Sequence, residues 1–437
     1  MQPELPVELL DYIFTFMRDD HPSLKACTGV NQAFSEIVEK HLYYELSLYN
    51  IDSLNTRGEL RPAQLLKLFT DQPQLASHVR SLRIIISGLA FLQWFVTRTM
   101  NEDDIGRIFP RISHLSRISL AGRRNSLISW GRLQDDFQTS FVEILRTRSL
   151  VDVAIYDMDN FPLSLLDNCK SLKHLELSGS FSSKADDAAE TSISNSTNPV
   201  RAQLTSLSLR YWSSSVGQIL GWLQSESSPH IGTLRSLKMT LQHVEYGSVV
   251  PAIFAACSTS LKELELNPGQ EVNTRYNLSG EIIPSHATLH QIVDLSTIPN
   301  LNRLTIVTHL GSVEDFWISS SGEDTVETCI YTTPFSWILR LMATLSRLRS
   351  NSLEYVVLDL SFSMNRRSLE MVNLGHLTSA FNLKLLPSLR NVKLRATFIR
   401  TSTVDLRIFM QVLQTNPHLS PLIASGLWTL TAKEYQA

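Results

Sequence analysis

"LKHLEL", residues Leu172–Leu177, has the form of one short strand. Its first leucine anchors the chain, and its fourth and sixth residues stand two apart, so they point to the same face. The arrangement L-x-x-L-x-L returns as "LTSLSL" from Leu204 and "LKELEL" from Leu261. Substituted copies begin at Val79, Leu115, Leu150, Leu234, Leu301, Leu353 and Leu389, which makes ten in all. Repetition on this scale governs the reading of everything between the copies.

Helix-like stretches lie between them: "FPLSLLDNCK" (Phe161–Lys170), "VGQILGWLQ" (Val216–Gln224) and "SVVPAIFAACS" (Ser248–Ser258). A strand followed by a helix, many times over, is the pattern of a leucine-rich-repeat solenoid, whose units bury their apolar sides only by stacking. The fold class expected is therefore α/β, with residues 1–48 as a helical module. Residues 49–437 follow as one irregular array, capped by "DLRIFMQVLQTNPHLSPLIASGLWTL" (Asp405–Leu430). The irregularity is plain in the spacing of anchors: 22 residues from Leu150 to Leu172, but 52 from Leu301 to Leu353. The Asn or Cys usual three places after the third leucine is missing; Ser180, Trp212, Gln242, Gly269, His309, Ser361 and Thr397 stand there. Polar stretches at Ser178–Pro199 and Ser319–Thr325 are read as connecting loops, with phosphorylation or docking as the alternative.

The chain opens on "LPVELLDYIFTFM" (Leu5–Met17). Pro6 suits the first helical position and Glu8 the first turn. Leu10, Ile13, Phe14 and Met17 form one helical stripe, and Leu5, Leu9 and Phe16 lie off it. "RDDHP" (Arg18–Pro22) ends this helix; a short segment carries Leu24, Cys27 and Val30, and Asn31 is placed to cap a third helix bearing Phe34, Ile37, Val38 and His41. "HLYYELSLY" (His41–Tyr49) then alternates apolar and polar residues. Some 45 residues in three short helices bury little surface alone. Either they pack on the rest of the chain, or part of their apolar surface waits for another protein.

Leu5-Pro6, Glu8-Leu9-Leu10, Ile13, Val30-Asn31, Phe34 and Leu42-Tyr43 together resemble the F-box, in the version common among fungal F-box proteins. The resemblance covers about the first tenth of the chain. It departs at Phe34, where many members carry Trp, and at Asn31, where a basic residue is usual. The resemblance implies docking on the adaptor Skp1 and, through it, a cullin–RING ubiquitin ligase. Leu5, Pro6, Leu9, Ile13, Val30 and Phe34 are the contacts it implies. The repeats would then hold the target, and the alternative is a leucine-rich-repeat scaffold outside any ligase whose helices cap its first repeat.

Other classes find little support. The net charge of −3 offers no basic field for nucleic acid or an acidic membrane. Cys27, Cys169, Cys257 and Cys329 are too scattered for a disulfide framework or a zinc site. With no signal-like or membrane-length apolar run, the expected location is cytoplasmic or nuclear. No phosphate loop, nucleophile elbow or HExxH is present, so the expectation is a non-catalytic adaptor without cofactor. His286, His290 and Asp294 have i, i+4, i+8 spacing that would suit zinc, yet the diagnostic glutamate is absent and a solvent-facing helix is the plainer reading.

The informative surface is instead the strand face opposite the core, reached by the third, fifth and seventh residues of each copy. His174, Glu176, Arg210, Lys238, Glu263, Glu265 and Arg303 lie there, with Arg83, Arg117, Tyr156, Thr305, Tyr355, Asp359, Lys393 and Arg395. The signs alternate along the array. Arg210, Tyr211 and Trp212 form an aromatic–basic cluster of the kind that dominates interfaces, although Trp212 equally suits packing beneath a loop.

Overall fold

The computed structural model describes residues 5–49, 62–86, 102–122, 127–182, 201–212, 216–241, 249–268, 275–276, 282–283, 293–311, 336–348, 351–363, 374–381, 386–399 and 406–435. In all ten copies the first, fourth and sixth residues are buried, as period-2 alternation requires of a strand with one face on a core. The fold is mixed α/β, built on parallel strands. The chain divides into two compact units, Met1–Leu204 with Gly221–His230 and Thr205–Leu220 with Ile231–Ala437.

In the first unit β1 (Glu45–Tyr49), β2 (Ser81–Ile86), β3 (Arg117–Gly122), β5 (Asp152–Pro162) and β6 (His174–Ser182) pair in parallel, in chain order. The two-residue β4 (Ile128–Ser129) joins β5. In the second unit the order is β7 (Ser206–Trp212), β8 (Ser236–Thr240), β9 (Glu263–Asn267), β12 (Arg303–Gly311), β13 (Tyr355–Ser363), β14 (Asn391–Ile399) and β15 (Trp428–Tyr435), again all parallel. A small antiparallel ribbon, β10 (Arg275–Tyr276) with β11 (Ile282–Ile283), stands apart.

The register aligns like with like. The third residues of successive copies are partners: Ser81↔Arg117↔Asp152↔His174 in the first unit, Ser206↔Ser236↔Glu263↔Arg303↔Tyr355↔Asn391 in the second. A single carbonyl at each step accepts two N–H groups from the next copy, as Tyr44 does from Arg80 and Ser81, and Lys262 from Asn302 and Arg303. The residue before the anchor adds a side-chain bond to the preceding copy. Ser149 donates to the Leu115 carbonyl, Ser260 to Leu234, Ser388 to Asn351 and the Asn300 amide to Thr259. These side chains satisfy backbone carbonyls of the neighbouring copy.

The connections depart from the strand–helix alternation expected of an irregular solenoid. The stretch Phe161–Lys170, expected to be a helix, continues β5 and then makes a 3₁₀ turn over Leu163–Asn168. Others are regular helices, Asp135–Leu145, Val216–Gln224 and Val249–Cys257 among them. Intervals of 22 to 52 residues leave room for quite different connections, so the described residues show a parallel sheet rather than one repeated strand–helix unit. The C-terminal segment forms helices Leu406–Thr415 and Ser420–Ala424, and its apolar tail continues as strand β15, paired with β14. Of the expected loop Ser178–Pro199, Ser178–Ser182 instead completes strand β6, and 183–199 lies outside the described residues, as does 319–325.

The N-terminal module is α1 (Val7–Thr15), α2 (His21–Thr28) and α3 (Gln32–Leu42). Leu10, Phe14, Leu24, Ile37 and Val38 form its core, with Met17, Cys27, Phe34 and Leu42 packed around them. Pro6 is the N-cap of α1, one place earlier than expected, and its carbonyl accepts from Leu9 and Leu10. Asn31 caps α3 by accepting from the Phe34 N–H at 2.9 Å. Asn31→Ala is expected to cost about 1 kcal/mol, since it leaves a first-turn donor without its partner. Amide exchange across Gln32–Leu42 should quicken accordingly.

Candidate functional site

Two surfaces hold most of the candidate residues. The first is α1, which is apolar on two sides. At 100° per residue, Leu9, Tyr12, Ile13 and Phe16 share an arc about 100° wide, while Leu10, Phe14 and Met17 occupy another. The second arc faces α3 and is covered; Ile13, expected in that stripe, belongs to the first. Leu9 is 47% exposed, Ile13 43% and Phe16 72%, with Tyr12 edge-to-face on Phe16 at 4.9 Å. Leu5, Val7 and Val30 are exposed as well. Among the described residues nine large apolar side chains are exposed, and seven of them lie between Leu5 and Val30. Of the six contacts implied by resemblance, Leu5, Pro6, Leu9, Ile13 and Val30 are open to solvent. Phe34 is half-buried and packs edge-to-face on Phe14 at 5.7 Å, within the helices' own core.

The other surface is the polar face of the sheet. In the second unit Lys238, Glu263, Glu265 and Arg303 line a shallow concavity of about 270 Å³, together with Thr305, Val307, Val357, Asp359 and Arg395. Register explains the assembly: Lys238↔Glu265, Glu263↔Arg303 and Asp359↔Arg395 are neighbours on adjacent strands, each cation beside an anion. Lys238 and Glu265 close to 3.3 Å. Val357 is buried and, with Thr305 and Val307, makes a less polar floor. Val307 and Val357 were not expected there because they are apolar, although their places in the copies, seventh and fifth, assign them to this face.

His174 and Glu176 belong to the first unit. His174 is exposed, and Glu176 accepts from the Tyr156 hydroxyl at 2.5 Å. Beside them Arg117 meets Asp152 at 3.3 Å. Burial raises the Asp152 carboxyl above its ordinary range, and Arg117 opposes that rise. Arg210 is exposed on β7, while the side chains of Tyr211 and Trp212 lie outside the described residues. His286 and His290 do as well; Asp294 caps a 3₁₀ turn, accepting from Ser296, and pairs with Arg347 at 2.8 Å. Among the described residues no three His, Cys, Asp or Glu side chains are grouped to hold a metal ion. No described helix is long and apolar enough to cross a membrane.

The cysteines differ in availability. Burial pushes the Cys169 thiol up to about 12 and the Cys257 thiol up to about 11, whereas Cys27 is half-buried. At pH 8 a thiol reagent mapped by mass spectrometry should modify Cys27 and spare Cys169 and Cys257 until the protein unfolds. Because the folded thiol holds its proton longer than the unfolded one, Cys169 stabilises the fold fully below about pH 9. That contribution is lost as pH rises toward 12.

No protein-family model matches this chain, and no curated protein does.

Proposed function

We propose that this chain is a non-catalytic substrate-recognition subunit of a Skp1–cullin–F-box ubiquitin ligase. α1 to α3 form an F-box-like module that docks Skp1, and the sheets are the inner surface of an irregular leucine-rich-repeat array that holds a protein target. The observation carrying this reading is the crowding of exposed apolar side chains on one arc of α1. A soluble surface gains nothing from Leu9, Tyr12, Ile13 and Phe16 side by side unless a partner covers them. In-register copies with shared lateral bonds support the repeat reading. The mixed-charge concavity around Lys238, Glu263, Glu265 and Arg303 is suited to specific polar contacts with a target rather than to bond chemistry. The protein would supply proximity, raising the effective concentration of a target lysine beside a ubiquitin-loaded enzyme.

A second reading, the leucine-rich-repeat scaffold outside any ligase, is favoured by one observation. α3 runs through Tyr43 and Tyr44 directly into β1, so the helices are joined to the first strand without an intervening linker. Mixing the purified chain with purified Skp1 separates the two. A docking module is expected to form a complex that survives gel filtration, and a mere cap is not.

A further inference from the structure

α1 presents two apolar arcs, and hydrophobicity alone does not say which should be inside. We infer that His41 makes that choice: its two ring nitrogens lock α1 with Leu10 and Phe14 inward, so that Leu9 and Ile13 stay outward for the partner. The functional half of this inference rests on the docking role proposed above.

His41 is 4% exposed, on α3, with its ring centre 6.2 Å from that of Phe14. A polar ring in such a place costs free energy unless both nitrogens find partners. Both do. Arg18 Nε donates to Nδ1 at 3.0 Å, so Nε2 carries the proton and donates to Asp11 Oδ1 at 2.9 Å. Asp11 lies on the side of α1 away from the exposed arc, and Arg18 follows the helix's last turn. One bond therefore sets the rotation of α1 about its axis, and the other sets where its end leaves. Arg18 in turn lays its guanidinium 3.8 Å from the Tyr44 ring centre, and the Tyr44 carbonyl receives Arg80 and Ser81 at the head of β2. The lock thus runs from the docking helix to the sheet of its own unit. Rotating α1 to bury the other arc would leave the ring nitrogens of buried His41 without partners, while Asp11, 52% exposed, would return to water; apolar packing does not by itself carry that penalty.

Cysteine probes in the full chain test this, with Cys27→Ser and Cys329→Ser as background, Cys169 and Cys257 being buried. Leu9→Cys should react with an alkylating reagent about tenfold or more faster than Leu10→Cys, because only local opening exposes the second. Adding His41→Leu, which keeps the site filled but removes both bonds, should bring the two rates together with little change in the unfolding midpoint. His41→Gln, able to donate and accept at once, should restore the difference. Arg18→Met provides the same reading if His41→Leu fails to fold. Affinity for purified Skp1 should fall about twofold with His41→Leu, because merged rates leave roughly half of the molecules competent, and should recover with His41→Gln. An unchanged rate ratio in both His41→Leu and Arg18→Met overturns the inference. Merged rates in a chain that never bound Skp1 would uphold the lock and defeat the adaptor reading instead.

Discussion

Leu9→Asp combined with Ile13→Asp is expected to abolish capture of Skp1 while leaving the repeats folded. The two side chains are one helical turn apart on the exposed arc of α1, and a partner that docks there removes both from water. Completing the burial of each, now 47% and 43% exposed, is worth about 1 kcal/mol, and a carboxylate forced into the same place without a partner costs about 2 kcal/mol or more in addition. The combined loss should exceed about 5 kcal/mol, more than a thousandfold in affinity. The intramolecular cost is small because neither side chain supports the core; lower helix propensity amounts to about 0.5 kcal/mol per substitution. Circular dichroism and the thermal midpoint should therefore stay near those of the parent while the pull-down signal disappears. Leu10→Asp is the contrasting control. It places a charge in the cluster of Phe14, Leu24, Ile37 and Val38, and should unfold the module itself. Full retention of Skp1 by the double mutant would remove α1 from the interface.

A large loss of stability within the sheet is expected from Gly179→Ala. Gly179 sits in β6 at φ +130°, where side chains are strained, and its added Cβ would lie 2.2 Å from the Met158 carbonyl oxygen. That oxygen belongs to backbone, so it cannot swing aside as a flexible side chain would. Strand β5 shifts register on either side of Met158, and Asp157 (φ 52°) and Asn160 (φ 56°) are themselves left-handed. The bulged segment has already spent its tolerance for distortion. A loss of about 3–5 kcal/mol is expected, combining backbone strain with overpacking. Denaturant unfolding followed by exchange in β5 and β6 measures it. Gly131→Ala, with nothing within 4 Å of the new Cβ, should be nearly silent. Comparable midpoints for the two variants would contradict the close approach.

The same segment marks where reading by pattern stops. A one-residue offset between strands leaves no trace in the alternation of leucines, so the bulges after Ile155 and the continuation of β5 through Pro162 stayed hidden and Phe161–Lys170 resembled a helix. His41 was legible only as another place on the inward stripe of α3. Its bonds to Asp11 and Arg18 bridge 30 and 23 residues of chain, a distance over which no local spacing speaks. The concavity of the second unit was half legible. The charged residues followed from counting third, fifth and seventh places, but their meeting depended on parallel pairing of copies 40 and 52 residues apart.

By itself, the order of residues determined which positions enter the core. A leucine two places from another on a strand shares its face, and this local geometry holds whatever the neighbours are. It also determined that the first helix is greasy on more than one side. Which side it keeps for itself was decided only by tertiary structure, because α3 can cover one arc and not both. Leu10 and Phe14 took that cover, and Leu9 and Ile13 were left outward.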